Sequence, residues 1–92
     1  MAEPKLTVVP VGKLRTMMVY DFADVGDTLT MHGDEQNVAH TTIVASGAIE
    51  VVVPEFASQR MDSGKAKIFE TGQMHALVAL EPDTRVFNEA VI

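Results

Sequence analysis

Apolar residues in this chain come in short runs rich in β-branched types, broken by clusters of Gly, Pro, Asp and Ser, and no segment carries a helical period. Runs of that length cannot present an apolar stripe long enough for a packed helix, but they suit strands that bury every second side chain. The pattern therefore predicts an all-β chain. Strands are expected near Leu6 to Val9, Leu14 to Asp21, Thr28 to His32, His40 to Ala45, Ala48 to Val53, Lys65 to Phe69, Met74 to Ala79 and Arg85 to Ala90. Ser46-Gly47 lies between two of these runs and predicts a two-residue hairpin, with glycine supplying a positive φ. Pro54 then ends the second strand, and the polar stretch from Glu55 to Gly64 is expected to be a loop between two halves.

With 92 residues, of which 47% are hydrophobic, the chain 1–92 makes one domain with one core. Trp is absent, Tyr20 is the only tyrosine and four Phe complete the aromatics, so the core is small and association would help it. Met17, Met18, Met31 and Met74 are expected to fill it. The absence of cysteine excludes disulfides, thiolate ligands and a cysteine nucleophile. A formal charge of -6 repels a phosphate backbone, which argues against nucleic acid as a partner. No apolar stretch approaches the roughly 18 residues that span a bilayer, so no membrane segment is expected and the cytoplasm is the default location.

His32, His40 and His75 are the only histidines, and each stands at a short offset from a turn glycine: Gly26, Gly47 and Gly72. Alternation puts His40 on one strand face with Thr42 and Val44, and His75 on one face with Leu77 and Ala79. His32 shares its face with Asp34 if the strand continues that far. Neutral imidazole is the commonest metal-ligating side chain, so strands converging on a common interior would make these residues a metal site.

The spacing around the histidines resembles the two sequence motifs of the cupin superfamily. Gly26 is followed after five residues by His32-Gly33-Asp34, after five more by His40, and after six more by Gly47. Asp34 stands where the first motif has its second histidine, and His40 where it has its glutamate, with one extra residue between them. Gly64, five residues, Glu70-Thr71-Gly72, two residues, His75, three residues and Ala79 reproduce the spacing of the second motif. There Glu70 replaces proline and Ala79 replaces asparagine.

The resemblance implies a double-stranded β-helix, or jelly-roll barrel. It also implies a divalent transition metal (iron(II), zinc, manganese, nickel or copper) held by His32, His40 and His75, with Asp34 ahead of Glu35 as a carboxylate donor. The expected function is a small metal-binding cupin that acts on a small polar or anionic substrate, by dioxygenase-like or isomerase/lyase-like chemistry. Which residue would be catalytic stays open; Glu35 and Glu70 are the carboxylates on hand for a base. The alternative is a non-catalytic cupin that binds a small ligand or a structural metal. Tyr20 and Arg85 are candidates to line the pocket, as proton donor and anion anchor, and Gln73 and Thr42 to hydrogen-bond the ligands. A homodimer is expected, since Leu6-Thr7-Val8-Val9, set off by Pro4 and Pro10, suits pairing with a second copy.

Overall fold

The computed structural model describes residues 2–13, 15–33 and 39–90. These form nine strands: β1 (Lys5–Pro10), β2 (Thr16–Phe22), β3 (Thr28–His32), β4 (His40–Ser46), β5 (Ala48–Val52), β6 (Gln59–Asp62), β7 (Ala66–Phe69), β8 (His75–Ala79) and β9 (Thr84–Ala90). There is no helix among the described residues. Two antiparallel sheets face one another, one ordered β1-β2-β9-β4-β7 and the other β3-β8-β5-β6. From β2 to β5 and again from β6 to β9, each successive strand lies in the opposite sheet, which is the winding of a jelly roll.

Period-two burial builds the interior. His40, Thr42 and Val44 are buried on β4, His75, Leu77 and Ala79 on β8, and Thr84, Val86 and Asn88 on β9. Phe22, Val44, Ile49, Phe69, Leu77 and Val86 are fully buried apolar contributors to the core between the sheets. The strand faces expected for His40 and His75 are those observed.

Three expectations are corrected. Ser46-Gly47 does take a positive φ at glycine (76°), but β4 and β5 do not pair; the link is a corner that carries the chain from one sheet to the other. A turn signal constrains local backbone and leaves partner choice to long-range packing. The segment from Glu55 to Gly64 is not all loop, because Gln59–Asp62 forms β6 and pairs with β5, opposing Met61 to Ile49. Only Met61 of its four residues is buried, too short a signal to show as alternation. Met61 is accordingly the buried methionine, while Met18, Met31 and Met74 are exposed. Met18 lies beside Asn88 in the register of β2 with β9 and beside Val8 of β1. The five-stranded sheet overhangs the four-stranded one there, leaving Leu6 and Val8 of β1 exposed as well.

Candidate functional site

The three histidines come together at one end of the sandwich. His32 closes β3 and His75 opens β8, and the two are direct cross-strand partners, reached after a register shift between Leu29 and His32. That irregularity re-aims the end of β3, so that His32 falls on the same side as the inward residue His75. His40 opens β4 in the other sheet. The ring centroids of His32 and His75 are 4.4 Å apart and those of His40 and His75 5.2 Å. His75 is fully buried, His40 nearly so, and His32 half-buried.

Two of the rings are locked by the backbone. His32 Nδ1 lies 2.7 Å from the Thr30 carbonyl oxygen, and His75 Nδ1 lies 2.8 Å from that of Gln73. A carbonyl only accepts, so each Nδ1 carries the proton and donates it. In the neutral ring Nε2 is then the basic nitrogen. Each carbonyl belongs to the residue two positions before its histidine, so a single local bond sets both rotamer and tautomer.

Phe69 underlies the cluster. It opposes His40 in the β4–β7 register, is fully buried, and stacks on His75 with centroids 3.9 Å apart and planes 13° apart; its centroid is 5.4 Å from that of His40. This ring fixes the spacing between histidines that belong to different sheets. Nothing in the sequence singles it out, because a lone apolar aromatic in a short strand reads as ordinary core. Nearby, the Thr42 hydroxyl donates to Asn88 Oδ1 at 2.5 Å across β4 and β9, a buried polar pair on the same inward face as His40.

The remaining candidates fall elsewhere. Asp34 and Glu35 lie outside the described residues. Among the described residues, no group of three or more His, Asp or Glu side chains stands in a metal-holding arrangement. Arg85 points away from the interior and makes a two-point ion pair with Asp21, at 2.7 and 3.2 Å; this carboxylate raises the guanidinium pKa further above its ordinary value. It is no anion anchor, because alternation places it on the outer face between Thr84 and Val86, both inward. Tyr20 is buried on the inner face, its hydroxyl 3.5 Å from Met18 Sδ. Glu70 is exposed. Gln73 supports His75 through its main chain, whereas its side-chain oxygen accepts from the Glu70 N–H; Thr42 bonds Asn88.

Several solved structures share this architecture. The structure of KdgF from Halomonas sp. superposes with a TM-score of 0.78 at 28% identity, covering 95% of this chain and 80% of that one. A protein with a double-stranded β-helix domain from Klebsiella pneumoniae matches at 0.77 and 23% identity, over 95% and 74% of the two chains. An RmlC-like cupin from Desulfovibrio desulfuricans matches at 0.81 and 17%, over 95% and 80%. The chain has the cupin fold. At these identities the likeness carries the fold and leaves the activity to this chain's own residues. No protein-family model and no curated relative matches the sequence.

Proposed function

We propose that this cupin binds a divalent transition metal through His32, His40 and His75, with Asp34 as a further donor, and presents it to a small polar or anionic molecule. The observation that carries the reading is the pair of Nδ1–H bonds to the Thr30 and Gln73 carbonyls, which make Nε2 the basic nitrogen of two neighbouring rings. The ring spacing supports it. Two imidazoles that bind one ion through Nε2 at about 2.1 Å, with about 90–110° between the bonds, hold their centroids roughly 4.5–5.5 Å apart. The separations here are 5.2 Å, within that range, and 4.4 Å, just below it. Three nitrogen donors with a single carboxylate suit iron(II), zinc, manganese, nickel or copper better than calcium or magnesium.

Bound there, the ion would act as a Lewis acid toward an oxygen of its ligand. The protein's own part is to hold the donors: Phe69 packs against two rings, the strand carbonyls orient two, and the buried face of His75 excludes water. The complete burial of His75 and the exposed position of Glu70 favour, as a second reading, a cupin whose metal binds a ligand or braces the barrel without turnover.

Elemental analysis of the purified protein by plasma mass spectrometry, beside His32→Ala, His40→Ala and His75→Ala, tests the metal. One ion per chain that is lost in each variant is the expected result. Absence of metal from the parent protein, with no uptake on reconstitution with any of the five ions, overturns the reading.

A further inference from the structure

A second feature of the interior lies beside the ring cluster. A cleft of about 380 Å³, lined by one residue each of the edge strands β6 and β7, is walled by Val51, Val53, Phe56 and Ala57. Gln59, Lys67 and Gln73 supply its polar groups. None of these lining residues is acidic, although the chain as a whole carries -6.

Lys67 is the unusual member. It opposes the fully buried Thr42 in the β4–β7 register and shares the inward face of β7 with Phe69, so its stem runs over the interior. Its ammonium sits 5.7 Å from the Phe69 ring centroid. The arginines of the described residues are each engaged by a carboxylate: Arg15 by Glu89, Arg60 by Asp62 and Glu81, Arg85 by Asp21. No described carboxylate lies in ion-pair range of Lys67. At the rim, the turn from Val53 to Phe56 is closed by a 3.2 Å bond from the Phe56 N–H to the Val53 carbonyl. Glu55 holds a φ of 70° there, a left-handed conformation unusual for a non-glycine residue. The turn leaves the Phe56 ring 74% exposed at the cleft edge.

A cation at the inner end, an apolar wall and an exposed aromatic at the mouth are complementary to one class of ligand. We propose that the cleft binds a small carboxylate with an apolar body, Lys67 taking the carboxylate and Phe56 covering the body. The proposal goes beyond metal binding and does not depend on it, so its test uses protein stripped of metal and then freed of chelator.

The probes are 4-phenylbutyrate and its uncharged amide, followed by amide chemical shifts in ¹⁵N-labelled protein. Saturable shifts at Ala57, Gln59 and Gln73 are expected, with the carboxylate bound roughly tenfold more tightly than the amide. Lys67→Met removes that preference, and Ala57→Trp fills the cleft and abolishes binding of both. Absence of shifts at about 10 mM probe, a weak-binding limit, overturns the proposal and leaves Lys67 as an inward charge that protects an edge strand from pairing. Shifts confined to the histidines, or a carboxylate preference that survives Lys67→Met, overturn it equally.

Discussion

Replacing Gly47 by Ala should destabilise the fold far more than the exposed Ala45 and Ser46 before it suggest. The residue turns the chain from β4 into β5 at φ 76°, and an added Cβ would collide with Thr84 Oγ1 and approach Thr84 Cα and Cβ to 2.9 Å. The left-handed conformation costs an alanine about 1–2 kcal/mol. Thr84 cannot yield cheaply, because its hydroxyl donates to the Glu81 carbonyl at 2.9 Å and accepts from the Ala48 N–H at 3.3 Å. Losing those two bonds adds about 1 kcal/mol each. The sum, about 3–4 kcal/mol, is a large part of the roughly 5–14 kcal/mol expected of a domain this size. Gly64→Ala is the internal control, since Gly64 has a similar φ of 88° and nothing within 4 Å of the added Cβ, so it meets only the conformational cost. Urea unfolding with an unchanged slope should place the two variants about 2 kcal/mol apart. Equal losses in Gly47→Ala and Gly64→Ala would refute the argument that the corner is held by contact with Thr84.

Two further outcomes are expected. Asp27 is buried and its carboxylate accepts from the Asp24 and Ala2 N–H groups, both at 3.1 Å, which hold its pKa below the ordinary value of 3.8. Its stabilising effect is therefore complete above about pH 4 and fades as pH falls through the lowered folded-state pKa. The stability difference between parent and Asp27→Asn should shrink on acidification, and a difference independent of pH between about 5 and 2 would count against this account. The free edge of β1, with Leu6 and Val8 48% and 55% exposed, supports our proposal of a homodimer. Sedimentation equilibrium should return twice the chain mass for the parent and the single mass for a Leu6→Lys/Val8→Lys variant; a monomeric parent would rule out the pairing.

What the sequence discloses and what it hides divide along the range of the forces involved. The all-β class, most strands and the inward faces of His40 and His75 follow from alternation, a property of neighbours in the chain. The offsets of the histidines from Gly26, Gly47 and Gly72 carry over into space because each glycine turn lies at one end of the strand that carries the histidine, before β3 and β8 and after β4. Partner choice is not local: β4 and β5 look like two arms of a hairpin, but β9 and β7 take both edges of β4, and β8 and β6 both edges of β5. The strand Gln59–Asp62 is silent because an exposed edge needs only one apolar residue, Met61. Within the site, the carbonyls of Thr30 and Gln73 have no signature at all, being main chain, and Phe69 is indistinguishable from the other core aromatics.

The division of the three imidazoles between sheets has a mechanical consequence. His32 and His75 ride on one hydrogen-bonded ladder and keep their mutual distance as long as that ladder holds, while His40 is fastened to the opposite wall. The gap between His40 and the other two therefore works as a caliper on the thickness of the core. A substitution such as Val44→Ala, far along β4 from the rings, would move one jaw and leave the other still, so the packing of the whole barrel, and not the rings alone, sets how well the three nitrogens can meet at one point.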